Sequence, residues 1–311
     1  VKATAVVLEQ PGQLVLSQLD LTAPTEEDVV IDMTFSGIST GTEKLLWSGR
    51  MPPFPGMGYP LVPGYESVGR VMEAGRESGI EKGATVFVPG ARCFGDVRGL
   101  FGGAASRVVS AGARVLPIDE ALGERGVLMA LAATAHHAVR GPGATLPDLI
   151  VGHGVLGRMV ARLTVAAGGN PTVWERNPAR REGEHAYRVI DPAVDTWREY
   201  KSICDVSGDS GLLDNLIARI APGGEVLLAG FYDEALSFNF APAFMREARI
   251  RVAAQWQPQD LAAVKTQVES RALSLDGLIT HRRPAQEADM AYRMAFGDPS
   301  CLKMILDWRT H

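Results

Sequence analysis

The rhythm of hydrophobic and polar positions changes near Gly123. Upstream, short apolar stretches alternate with polar positions and end at Gly, Pro or Asp: ATAVVL, LVLSQL, DVVIDMTFSG, ESVGRVMEAG, ATVFVPG and SRVVSA. That texture predicts β-strands in a barrel-like domain. Downstream, GVLMALAATAHHAVRG carries apolar positions at helical spacing, and strand-like and helix-like pieces then alternate. DLIVG, PTVWE, SICDVSGD, EVLLAG and RIRVAAQW predict strands. RMVARLTVAAGG and SGLLDNLIARIAPGG predict helices stopped by glycine. Such alternation predicts a parallel sheet with crossover helices. Beyond Pro258 come an amphipathic helix and the segment DGLITHRRPAQEADMAYRMAFGDPSCLKMILDW. The fold class is α/β: a doubly wound parallel sheet joined to a β-barrel domain.

Composition adds exclusions. The 311 residues suffice for two cores, and a net charge of −5 gives no general attraction to nucleic acid or an anionic membrane. The start VKATAVVLEQPG lacks the basic and apolar runs of a secretory signal. The most apolar stretch is shorter than the ~20 residues a membrane span needs. The cytoplasm is the expected compartment. Cys93, Cys204 and Cys301 are far apart with no C-x-x-C pair, so they read as small buried hydrophobes.

One motif carries chemistry directly. Between a predicted strand and helix stands G-H-G-V-L-G, residues Gly152, His153, Gly154, Val155, Leu156 and Gly157. The first glycine allows a tight turn, the second lets backbone approach a pyrophosphate, and the third lets helix pack on strand. Glu175 ends the next strand at about the separation of a ribose-binding acid. Its carboxylate would accept the ribose 2′-hydroxyl and repel a 2′-phosphate, which favours NAD over NADP. Arg176, next door, is the residue that would hold such a phosphate.

The segments SGIS-TGTE, PLVPGYESVGRV, GGAASRVV, DGLITHRRP and CLKMILDW resemble those of medium-chain dehydrogenases and reductases. The resemblance spans nearly the whole chain. It implies a GroES-like barrel domain from residues 1–134 and 258–311 and a Rossmann domain from 135–257. STGTEKLLWSGRMPPFPGMGYPLVPGYESVGRV, FVPGARCFGDVRGLFGGAAS, LAATAHHA and LIVGHGVLGR carry a closer resemblance within it. The similar enzymes use NAD to oxidise the 3-(1-hydroxyethyl) group of a (bacterio)chlorophyllide to 3-acetyl, in bacteriochlorophyll synthesis.

In that superfamily a catalytic zinc is held by cysteine, by the histidine of Gly-His-Glu and by a further cysteine or acid. Here Ser39, Tyr65 and a position near Ala132 take those places, all poor ligands or none. The four-cysteine lobe is missing too. The expectation is an enzyme without metal, in which Tyr65 hydrogen bonds the reacting oxygen. Ser39, Thr40 and Thr42 would relay the proton, and Glu43 or Glu66 would accept it. Glu66 has an equal alternative as a structural ion-pair partner. His136 or His137 would be a base or an axial ligand of the pigment magnesium; adjacent helical positions point ~100° apart, so at most one would face a ligand. Trp47, Met51, Phe54, Met57 and Tyr59 would form an apolar rim for a flat ring, or else a packed loop or homodimer contact. Arg50, Arg92 or Arg98 would meet its carboxylate. The alternatives are a zinc-free quinone or enone reductase and a non-catalytic NAD-binding pigment carrier.

Overall fold

The computed structural model describes residues 2–53, 55–253 and 255–309. The chain divides into two compact units, Val1–Ala130 with Leu275–His311, and Leu131–Ser274. The first boundary falls close to the expected one. The second falls beyond Pro258, because the helix Pro258–Glu269 belongs to the second unit.

The spine of the first unit is the strand Asp28–Ile38, whose run DVVIDMTFSGI buries Val29, Val30, Ile31 and Met33 almost completely. Each such side chain contributes about 1.5–3 kcal/mol of hydrophobic stabilisation. Antiparallel neighbours are Ser67–Ala74, Met304–Asp307 and Arg107–Ala111. Two register shifts against Ser67–Ala74, at Val30/Ile31 and Met33/Phe35, bend the sheet as bulges do. Ser36 stands opposite Ser67 and Ile38 opposite Met304. Three strand ends therefore meet, and the residues just beyond them are Ser39, Tyr65–Glu66 and Lys303. A second sheet runs Gln13–Asp20, Lys2–Gln10, Leu61–Val62 and Arg98–Gly99.

The second unit holds a six-stranded sheet among the described residues. Its order is Arg188–Ile190, Thr172–Trp174, Leu149–Val151, Tyr200–Asp205, Ile220–Leu228 and Arg249–Val252, with every pairing parallel. Numbered within the unit, that is 3-2-1-4-5-6, the doubly wound dinucleotide-binding order. The helix Val155–Ala166 follows the first strand and buries Val155, Met159, Val160 and Leu163. Two local expectations need correction. The helix expected over SGLLDNLIARIAPGG is only Leu213–Ile217, and its Pro-Gly-Gly lies inside the next strand, Ile220–Leu228. The strand Arg188–Ile190 was not foreseen, being three residues long with none buried. No helix among the described residues is long and apolar enough to cross a membrane. Cys93, Cys204 and Cys301 are buried and form no disulfide.

Candidate active site

In the first unit the three converging strand ends build a polar cluster inside an apolar shell. Ser39 Oγ and Tyr65 Oη lie 2.8 Å apart. Ser39 follows the end of the spine strand, just before the short helix Thr42–Ser48, whose first turn carries Glu43. Serine and glutamate clamp each other. The Glu43 N–H donates to Ser39 O at 3.1 Å, and the Ser39 N–H donates to Glu43 Oε1 at 3.2 Å. An acid in a helix's first turn reaching back to a preceding N–H is a local capping device. Tyr292 Oη donates to the other carboxylate oxygen, Oε2, at 2.6 Å. Glu43 is wholly buried, and burial pushes its pKa up to about 7. The hydrogen bonds from Tyr292 and Ser39 pull against that rise, Glu66 adds to it, and Lys303 opposes it.

Glu66 forms a buried ion pair with Lys303, whose Nζ donates to Glu66 Oε2 at 2.6 Å and to Ile38 O at 3.1 Å. Glu66 Oε1 has no hydrogen-bond partner among the described residues. Of the two roles expected for Glu66, the geometry is that of the structural pair. Tyr65 is partly exposed and packs edge-on against Phe101 at 5.2 Å. Burial, then the Glu66 carboxylate, push its phenol well above the usual range, against hydrogen bonds from Ser39 and Thr42. At neutral pH Tyr65 is thus a neutral donor and not a phenolate. Thr40 is exposed and Thr42 half-buried.

The expected rim residues pack together. Trp47, Met51, Met57 and Tyr59 lie half-buried against a cluster of Leu8, Leu46, Leu61 and Leu100, joined by Phe101. The Tyr59 hydroxyl is spent on Leu46 O. Phe54 lies outside the described residues. Arg98, exposed, donates to Tyr59 O at 3.4 Å.

In the second unit the glycine loop has the shape its motif implies. Gly152 has φ of +106°, open only to glycine without strain, and a Cβ on Gly157 would stand 1.9 Å from Gly152 O. A Cβ on Gly154 would meet nothing within 4 Å. That open space lies at the start of the helix Val155–Ala166, whose first N–H groups have no acceptor within the helix. Residues and space together fit a dinucleotide pyrophosphate. Glu175 receives N–H donors from Asn177 at 2.8 Å and His153 at 3.3 Å. Arg176 is exposed and stands 3.9 Å from Asp209, a long surface ion pair.

The imidazole of His153 does not point at a ligand. It is fully buried, donating from Nδ1 to Arg180 O at 2.8 Å and receiving the Tyr187 hydroxyl at Nε2, 3.0 Å away. Burial and the Arg158 charge drop its pKa to about 3, so it is neutral. His136 and His137 also depart from expectation. Both Nδ1 atoms lie 2.8 Å from the oxygens of one carboxylate, Asp260. Burial works to raise Asp260, but the Gln257 N–H and the two imidazoles prevail and hold it below the usual range. The carboxylate is ionised, so both imidazoles donate to it, and the adjacent rings converge instead of diverging.

Sequence reasoning missed Tyr292 and Lys303. The helix Ala288–Gly297 buries Ala288, Ala291, Tyr292 and Ala295 on one face, and Tyr292 is that face's one polar tip. Lys303 sits in the apolar run CLKMIL. A charge or hydroxyl inside a buried stripe was the available signal.

The donor set does not fit a catalytic zinc. Ser39 and Tyr65 bond each other, Glu66 is tied to Lys303, Glu43 is held by Ser39 and Tyr292, and Ala132 has no ligating atom. Among the described residues no group of three or more His, Cys, Asp or Glu is placed to hold a metal ion.

Residues 25–120 match the alcohol dehydrogenase GroES-like domain family. The chain is 59% identical over 306 residues to 2-desacetyl-2-hydroxyethyl bacteriochlorophyllide A dehydrogenase of Rhodobacter capsulatus, covering 98% of each. It is 57% identical over 314 residues to the protein of the same name from Cereibacter sphaeroides, covering 99% of each. Among solved structures, L-idonate 5-dehydrogenase from Escherichia coli is similar with a TM-score of 0.85 at 16% identity, over 99% of this chain and 98% of that one. The identity over full length and the shared barrel-plus-Rossmann architecture lead to one assignment: the chain belongs to the 2-desacetyl-2-hydroxyethyl bacteriochlorophyllide A dehydrogenases of the medium-chain dehydrogenase/reductase superfamily.

Proposed function

We propose that the protein oxidises the 3-(1-hydroxyethyl) group of a (bacterio)chlorophyllide to 3-acetyl, with NAD as hydride acceptor and without a catalytic metal. The observation that carries this reading is the Ser39–Tyr65 hydroxyl pair, at positions where the resemblance to the superfamily implies zinc ligands, in a chain so similar to dehydrogenases named for that pigment. NAD, bound along the glycine loop, would supply the hydride acceptor. The chain's own residues do the rest. Gly152, Gly154 and Gly157 would let backbone approach the pyrophosphate, the N–H groups of Val155 and Leu156 would bind it, and Glu175 would receive the ribose hydroxyls. Arg176 faces Asp209, which weakens it as a 2′-phosphate site and favours NAD.

Tyr65 donates to the carbinol oxygen as it becomes a carbonyl, a role suited to a phenol that stays protonated. The carbinol proton leaves to water, Tyr65 being partly exposed, while Ser39 Oγ donates to Tyr65 Oη at 2.8 Å and keeps the phenol hydrogen aimed at the carbinol oxygen. Glu43 fixes Ser39 in the turn, and the Glu66–Lys303 pair holds the strand ends together. The outward parts of Trp47, Met51, Met57 and Tyr59 supply the apolar rim for the ring. The second unit's open edge strand, Arg249–Val252, would meet its twin in a homodimer.

An absorbance assay tests the reading. Protein, NAD and the hydroxyethyl pigment should shift the pigment's red band, because an acetyl carbonyl conjugates with the ring. NADP should support the reaction at least about tenfold less well, since Glu175 repels its phosphate. No spectral change with either nucleotide rejects the activity, and equal rates with both reject the role of Glu175.

A further inference from the structure

We propose that Tyr292 is a positioning residue for this oxidation: through Glu43 it fixes the turn that presents Ser39 to Tyr65. The inference rests on the reading above. Four contacts form the path. Tyr292 Oη donates to Glu43 Oε2 at 2.6 Å, the Ser39 N–H donates to Glu43 Oε1 at 3.2 Å, Ser39 O receives the Glu43 N–H at 3.1 Å, and Ser39 Oγ meets Tyr65 Oη at 2.8 Å. Tyr292 and Glu43 are both essentially inaccessible to solvent, so neither touches a substrate directly. Their contribution passes through Ser39.

The charge of Glu43 matters to that path. An ionised carboxylate accepts from both donors at once. A proton on Oε1 would set a donor against the Ser39 N–H, whereas a proton on Oε2 lets the Tyr292 hydroxyl accept instead and leaves Oε1 a neutral, weaker acceptor for the Ser39 N–H. The groups facing Glu43 are Tyr292 from the helix Ala288–Gly297, the Ser39 N–H from its own turn, Glu66 and Tyr65 from the segment before Ser67–Ala74, and Lys303 from the start of Met304–Asp307. Tyr292 and Lys303 favour the ionised form, whereas burial and Glu66 oppose it, and the balance lies at about 7. Tyr292 is thus the neutral donor that brings Glu43 into its ionised, two-tied state near physiological pH.

Tyr292→Phe removes the hydroxyl and keeps the ring that packs at 5.7 Å against Phe296. In the variant the acid limb of kcat/KM should move up by about one pH unit. At pH 7 kcat should fall about fivefold, with KM for NAD unchanged, since the nucleotide loop belongs to the other unit. A second readout needs no pigment. The infrared carbonyl band of a protonated carboxyl should titrate near pH 7 in the unaltered protein, about one unit higher in Tyr292→Phe, and be absent in Glu43→Gln. An unmoved band in Tyr292→Phe, or an unmoved acid limb in a variant with native circular dichroism, overturns the proposal. Protein that shows the band shift but leaves the pigment unoxidised upholds the Tyr292–Glu43 coupling and rejects the substrate instead.

Discussion

Glu43 is a carboxyl group kept in a place that opposes its charge. Burial raises its pKa from 4.5 to about 7, so the folded chain binds its proton more tightly than the unfolded chain does. The sign of the linkage follows. Stability from this group is fully present below the unfolded value and is lost as pH rises toward 7, about 3 kcal/mol in all. Glu43→Gln keeps size and hydrogen-bonding groups but cannot ionise. It should therefore gain stability over the unaltered protein at pH 8.5, by up to ~3 kcal/mol, and little or none at pH 4.5, as denaturant melts would measure. An equal difference at the two pH values would show that Glu43 does not bear this cost. A residue retained at such a cost is consistent with use in the reaction. The sequence exposed Ser39, Tyr65, Glu43 and Glu66 because they share one short stretch. It hid their partners, since Tyr292 and Lys303 lie 249 and 237 positions away, the first brought in by the packing of its helix and the second by sheet pairing. The orientation of His136 and His137 was hidden for the same reason: Asp260, more than 120 positions distant, decides where both rings point.

Elements were most legible where their signals are local. The glycine loop combines strand, turn and helix within a few residues, and the open space at Gly154 matches the reading of its motif. The strand Arg188–Ile190 escaped because three partly exposed residues carry no period. The edge strand Arg249–Val252 was visible in the sequence as the last strand of that sheet. It pairs on one side with Ile220–Leu228. Val252 is 72% exposed, and Phe240, Phe244 and Met245 of the neighbouring short helix are at least 66% exposed. An open edge beside exposed aromatics is poorly protected against association. Two copies related by a two-fold axis would satisfy the backbone and cover the patch. Sedimentation should give twice the monomer mass at micromolar concentration, and Val252→Asp should weaken the dimer at least about tenfold. A monomer at high micromolar concentration would refute the homodimer.

At the scale of the whole molecule, the two textures on either side of Gly123 anticipated two units, and the parallel sheet took the doubly wound order. The far boundary moved from Pro258 to Ser274 because the helix Pro258–Glu269 is held in the second unit, where Asp260 binds its histidines. Within the first unit, strand register delivers Ser39, Tyr65, Glu66 and Lys303 to one end of the sheet. There Lys303 holds Glu66 in a buried ion pair, and removing either partner would strand a buried charge at about 3–5 kcal/mol. The central claim is the proposal that hydrogen bonds here stand in for a metal's ligands. Its direct test is turnover of the hydroxyethyl pigment with NAD by chelator-treated protein whose metal content has been analysed. The account predicts full activity with far less than one metal ion per chain, whereas stoichiometric zinc whose removal stops turnover would contradict it.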